Sequence, residues 1–133
     1  MSRPQQISVA IVDDDEVDLF IAQRVVRLKF ETENIALFRS GFEFMEKFKD
    51  PSAMDVILLN YRMPEKSGLN VLDDMPGILP NSKPFVIITS TSLDPGDLAR
   101  IKAHPKVDFF IPKPILPAHI KKVIELLLST KQH

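Results

Sequence analysis

Val56-Ile57-Leu58-Leu59-Asn60-Tyr61-Arg62-Met63-Pro64 is a run of four apolar residues stopped by a single polar one. A bounded run this short, with β-branched residues in it, reads as a strand buried on both faces, the kind found in the middle of a parallel sheet. Asn60 then stands at the strand's carboxyl end. Open parallel sheets bind their ligands at that end, so the chemistry of the chain is sought around Asn60.

On either side the pattern repeats. Upstream, Ile7 to Val12 is a first strand that stops at Asp13, Asp14, Asp15 and Glu16, acids suited to the positive end of a helix. In that helix Val17, Ile21, Val25 and Leu28 form one apolar face with Phe20 beside it. Asn34 to Phe38 is a second strand. Ser40 and Glu43 have capping-box spacing for a helix that buries Phe44 and Phe48 and is closed by Asp50, Pro51 and Ser52.

Downstream of Asn60, Ser67 caps a short helix containing Leu69 and Leu72 that ends before Pro76. Phe85 to Thr89 is a fourth strand. Asp94-Pro95-Gly96-Asp97 opens a helix with proline in its first turn, and Leu98 and Ile101 face inward from it. Val107 to Ile111 is a fifth strand. After Lys113-Pro114 a last helix starts at about Pro117, with Ile120, Val123, Ile124 and Leu127 on its buried side and Lys131-Gln132-His133 as a frayed tail.

Composition narrows the function classes. The 133 residues suit a single domain, 1–133 with its core at about 6–130, burying roughly two thirds of its surface on folding. With 44% hydrophobic residues and a formal net charge of -1, nothing argues for a general grip on nucleic acid or on a membrane surface. Cysteine is absent, which excludes disulfide and thiol chemistry and suits a reducing compartment. The apolar runs are too short to span a membrane, and the first residues do not read as a signal peptide. A cytoplasmic protein is expected.

Strands alternating with helices imply an α/β fold: a doubly wound, five-stranded parallel sheet with helices on both faces. Right-handed crossovers leave few topologies, and 2-1-3-4-5 is a common order. In that order the first and third strands are neighbours. Asp13, Asp14 and Asn60 then border one crevice, with Thr89 and Lys113 along the same rim.

These residues carry a resemblance. Ile11-Val12-Asp13-Asp14 resembles the acidic pair of response-regulator receiver domains, the modules of two-component phosphorelays. Thr89 resembles the family's switch hydroxyl, Lys113-Pro114 its lysine and following proline, and Phe110 its mobile aromatic. Met63-Pro64 and Gly68 fit its loop after the third strand. Chemotaxis receivers have this same 2-1-3-4-5 order, in a flavodoxin-like three-layer αβα sandwich. The resemblance covers nearly the whole chain. It implies a signalling domain, not an enzyme, and a cis Lys113-Pro114 bond.

One position departs from the pattern. Where the family has the aspartate that accepts phosphate, this chain has Asn60. A carboxamide is neutral and its oxygen is a poor nucleophile, so Asn60 is not expected to form an acyl phosphate. A natural pseudo-receiver and a receiver whose acceptor was replaced both fit, and so does Asn60 as a plain turn residue. The resemblance still implies a Mg²⁺ site built from Asp14, Asp13 through water, the Arg62 carbonyl and the Asn60 amide oxygen, weakened by the neutral amide. It also implies a histidine kinase or phosphotransfer protein as one partner. An output partner is expected on the fourth helix, fifth strand and fifth helix, around Leu98, Phe110, Leu126 and Leu128, a face that leaves a homodimer open. No output domain is expected within these residues.

A rival reading comes from another class. Asp13-Asp14-Asp15-Glu16-Val17 fits the opening motif of haloacid-dehalogenase-type phosphatases, with Asp13 as nucleophile and Asp15 as acid/base. The acidic motif that should follow the lysine is missing, since Glu125 is the one acid beyond Lys113. His104, His119 and His133 have no ligand-like spacing and read as surface histidines.

Overall fold

The computed structural model describes residues 7–50, 53–91 and 94–131. Its elements follow in order as β1 (Val9–Val12), α1 (Glu16–Phe30), β2 (Ile35–Phe38), α2 (Gly41–Lys47), β3 (Val56–Asn60), α3 (Gly68–Asp73), β4 (Phe85–Ser90), α4 (Pro95–Ala103), β5 (Phe109–Pro112) and α5 (Pro117–Lys131). The strands are parallel and lie in the order 2-1-3-4-5. Every residue of β1 and β3 is buried, as expected of strands covered on both faces.

The two faces have separate cores. Ala10, Val12, Ile57, Leu59, Val86 and Ile88 point to one side, where Phe44, Val71, Leu72 and Ile101 bring in α2, α3 and α4. Val9, Ile11, Val56, Leu58, Ile87 and Ile111 point to the other, where they meet α1 and α5. The result is the three-layer αβα sandwich.

Local chemistry starts the helices where the sequence suggests. Asp15 caps α1 by accepting the N–H groups of Val17 and Asp18 at 2.9 and 3.0 Å. Ser40 accepts from Glu43 N–H at 3.0 Å, while the Glu43 carboxylate reaches one residue further back than in a standard capping box, to Arg39 N–H. Ser67 caps α3 and Asp94 caps α4, with Pro95 in the first turn. The Lys113-Pro114 bond is cis, as expected, and Lys83-Pro84 is cis as well.

Some expectations need correction. The apolar face read for α1 is largely turned to water: Val17 is 65% exposed, Phe20 56% and Leu28 70%. Leu19, Ala22 and Val26 are buried instead, with Val25 and Phe30 packed beside them. Small Ala22 adds little hydrophobic weight to a periodicity argument, yet it is 2% exposed in the core between α1 and the sheet. β5 starts at Phe109, two residues later than expected, because the carboxylate of Asp108 takes the Val86 N–H at 2.8 Å in place of a strand partner.

His104 is not an ordinary surface histidine. Its side chain is 12% exposed, Nε2 lies 2.8 Å from Asp73, and Nδ1 accepts from Lys106 N–H. His119 accepts the N–H of Leu116 through Nδ1 at the start of α5. The expected close of α2 at Pro51 and Ser52 lies outside the described residues, as do Gln132 and His133 of the tail.

Candidate functional site

The carboxyl ends of β1, β3, β4 and β5 bring the singled-out polar residues together. Asp13 follows β1 directly, and its N–H extends the ladder by donating to Phe38 O at 2.9 Å. It is 4% exposed. One carboxylate oxygen accepts from Asp15 N–H at 3.0 Å; the other lies 2.7 Å from the Lys113 ammonium. Lys113 therefore reaches inward from the end of β5, its side chain 7% exposed, and it also donates to Asp18 at 2.9 Å.

The electrostatics follow from this burial. Desolvation pushes the Asp13 carboxyl above its ordinary value despite the opposing Lys113 bond. Desolvation also works against the Lys113 ammonium, but the hydrogen bonds it donates to Asp13 and Asp18 outweigh it and hold the pKa above the ordinary lysine value. Asp18 escaped the sequence reading. Its signal was its place as a first-turn acid three residues after the Asp15 cap.

Asn60 ends β3, is 6% exposed, and pairs in register with Thr89 of β4, which is 3% exposed. Its Nδ2 donates two hydrogen bonds, to Asp14 Oδ1 at 3.1 Å and to the Arg62 carbonyl at 2.8 Å. The amide thus ties the loop after β1 to the loop after β3. Gly68 allows that second loop to close: a Cβ there would lie 2.5 Å from the Asn60 backbone oxygen. Phe110 is set apart, half-buried on β5 against the core shared by α2, α3 and α4.

Asp13, Asp14, Asn60, the Arg62 carbonyl and Lys113 thus form one cluster, with Thr89 across from Asn60. A cavity of about 420 Å³ lined by residues such as Ile7, Phe30, Phe85 and Leu127 opens at the opposite end of the sheet and contains none of them. Tyr61 and Asp97 also escaped the sequence reading. Asp97 reads in the sequence only as part of the start of a helix, yet it is 2% exposed and accepts the Tyr61 hydroxyl at 2.9 Å.

Among known protein families, the one described as the response regulator receiver domain matches residues 9–125. The chain belongs to the receiver-domain family. Its structure resembles a two-component response regulator from Cytophaga hutchinsonii, 25% identical, with a TM-score of 0.81 and coverage of 95% of this chain and 99% of the other. A CheY-like receiver domain protein from Methanospirillum hungatei shares the fold at 18% identity and TM-score 0.76, covering 96% and 98%. So does the receiver domain of a histidine kinase from Arabidopsis thaliana, at 18% identity and TM-score 0.77, covering 92% and 90%.

Receiver domains are in general signalling domains without enzymatic activity, and they interact with histidine kinases and output domains. They typically bind Mg²⁺ at the acidic pocket. The donor set of this receiver does not fit that ion as it stands. Hard Mg²⁺ needs close to six oxygens in near-ideal octahedral geometry. Here Asp14 and the Arg62 carbonyl already accept from the Asn60 amide, and Asp13 holds Lys113 and the Asp15 N–H. The Asn60 oxygen, expected as a ligand, is not the atom aimed at the other candidate ligands. Turning the amide over would set that oxygen against two acceptors. Among the described residues no three acidic or histidine side chains group as a metal site.

Proposed function

We propose that this receiver signals through protein contacts without accepting a phosphoryl group at position 60. Its partners are a histidine kinase or phosphotransfer protein and a protein output partner. The observation that carries this reading is the Asn60 amide donating to Asp14 and to the Arg62 carbonyl. A neutral carboxamide already engaged as a donor neither attacks phosphorus nor completes a divalent-cation shell. Cation binding is accordingly weak in the Asn60 form. The Lys113 ammonium supplies the counter-charge to Asp13 and Asp18 from within the chain.

The output face is assigned to α4, β5 and α5. Leu128 is 56% exposed there, and Leu98, Phe110 and Leu126 are half-buried. A homodimer would use the same face. No nucleic-acid or membrane partner is proposed, and no described helix is long and apolar enough to cross a membrane. The cytoplasmic placement rests on the lack of cysteine, which suits a reducing compartment. The phosphatase alternative loses its acid/base, because Asp15 is committed to capping α1.

Asn60→Asp tests the reading, since it replaces only the missing nucleophile. Both forms are incubated with Mg²⁺ and acetyl phosphate and their intact masses measured. The expected result is one added phosphoryl group on the Asp form, labile to base, and none on the Asn form. A phosphoryl gain at position 60 of the Asn form would refute the proposal, as would no gain on the Asp form under conditions that load other receivers.

A further inference from the structure

Asp97 is buried in the first turn of α4 with more partners than a helix start needs. Its carboxylate accepts the Tyr61 hydroxyl at 2.9 Å and the Arg62 guanidinium at 2.5 Å, and it pairs with the Arg100 guanidinium one turn on. Arg100 Nε reaches the same hydroxyl at 3.4 Å, and the Arg62 guanidinium lies 5.5 Å from the Tyr61 ring centre. A carboxylate this dehydrated needs cations and donors around it, so the cluster holds α4 against the loop after β3 in one geometry.

Tyr61 and Arg62 directly follow Asn60. The carbonyl of Arg62 accepts from the Asn60 amide at 2.8 Å, while its guanidinium grips Asp97. One residue therefore faces the pocket with its backbone and α4 with its side chain. A carboxylate at position 60 would set acceptor against acceptor at that carbonyl and displace it. The Arg62 side chain is the connection by which such a displacement would reach Asp97.

We propose that Arg62 and Asp97 form a latch through which the group at position 60 sets the position of α4. The latch uses neither Thr89 nor Phe110. This inference rests on the proposed function only in taking α4 as part of the partner face. It gives this receiver a fixed α4 surface, held by the Asn60 amide at one end and the ion cluster at the other.

Hydrogen exchange of the whole chain, without phosphoryl donor or added divalent cation, tests it independently of phosphorylation. Asn60→Asp is compared with the parent in three backgrounds: unchanged, Arg62→Met and Asp97→Asn. Arg62→Met keeps the carbonyl and removes the grip; the Arg62 side chain is 68% exposed, so the fold is expected to survive. In the unchanged background Asn60→Asp should speed exchange of the α4 amides by about threefold or more, as local opening does. In either latch variant the exchange of amides 13–15 and 60–62 should still respond to Asn60→Asp, while the α4 response falls to within error. An α4 response of equal size in the Arg62→Met background would overturn the latch. So would an α4 that ignores Asn60→Asp in the unchanged background while residues 13–15 respond.

Discussion

Lys113→Met removes the ammonium at the centre of the site and keeps most of its apolar stem. Asp13 and Lys113 side chains are 6% and 7% exposed, so the substitution leaves a buried carboxylate without its cation. Breaking a buried pair in this way costs about 3–5 kcal/mol. The lower end applies, because Asp13 keeps the Asp15 N–H and can take up a proton. Over 133 residues, an unfolding entropy of about 0.28 kcal/mol/K converts a loss of about 3 kcal/mol into a fall of about 11 °C in Tm.

The sign of the pH dependence follows from the same group. Burial already holds the Asp13 carboxyl above 3.8 against the opposing Lys113 bond, and losing Lys113 raises it further. Between 3.8 and the raised value the folded variant keeps a proton that the unfolded chain releases. Stability of the variant therefore rises as pH falls, by up to about 1.4 kcal/mol per pH unit. Urea unfolding from pH 8 down toward 3.8 measures this, with Asp13→Asn/Lys113→Met as the control that lacks the titrating group. In the parent, the Lys113 contribution is complete below the unfolded value of 10.5 and lost as pH rises through the higher folded value. A loss below about 1 kcal/mol at pH 8, or a loss that does not shrink as pH falls toward 3.8, would refute the reasoning.

Two further outcomes follow from the fold. On α1, Leu28→Gln should change stability by less than about 0.5 kcal/mol, whereas Val26→Ala should cost about 2 kcal/mol, both read from urea midpoints at constant m; similar costs would mean the helix is turned otherwise. Asp55 accepts from Ser8 N–H and Oγ at 2.9 and 3.3 Å and lies 3.3 Å from Lys83. Burial acts to raise its pKa, but these bonds outweigh it and hold the carboxyl below 3.8. Its contribution is thus present above 3.8 and lost as pH falls through the folded value. With the Asp55 side chain 37% exposed, Asp55→Asn should cost about 1 kcal/mol near neutrality, and thermal unfolding should show the gap narrowing toward pH 3.

The fold was legible because its signals are local and repeated. The apolar run ending at Asn60 matches β3 residue for residue, and Ser40, Ser67 and Asp94 cap helices through atoms three residues away. The order 2-1-3-4-5 is a common one among the few topologies that alternation and crossover handedness leave, and it carries Asp13, Asp14, Asn60, Thr89 and Lys113 to one rim.

What the sequence did not reveal depends on three-dimensional neighbours. Composition identifies Asn60 as a carboxamide, but only the packed loops decide that its nitrogen faces Asp14 and the Arg62 carbonyl. Which apolar stripe of α1 is buried depends on its packing against the sheet and α5, where Leu19, Ala22 and Val26 are enclosed. Asp97 reads as one more first-turn acid until the fold brings Tyr61 and Arg62 onto it from 36 and 35 residues away. Periodicity and capping act over a few residues and can be read along the chain. Orientation of a buried polar group is chosen by donors and acceptors that only the completed fold brings within about 3 Å.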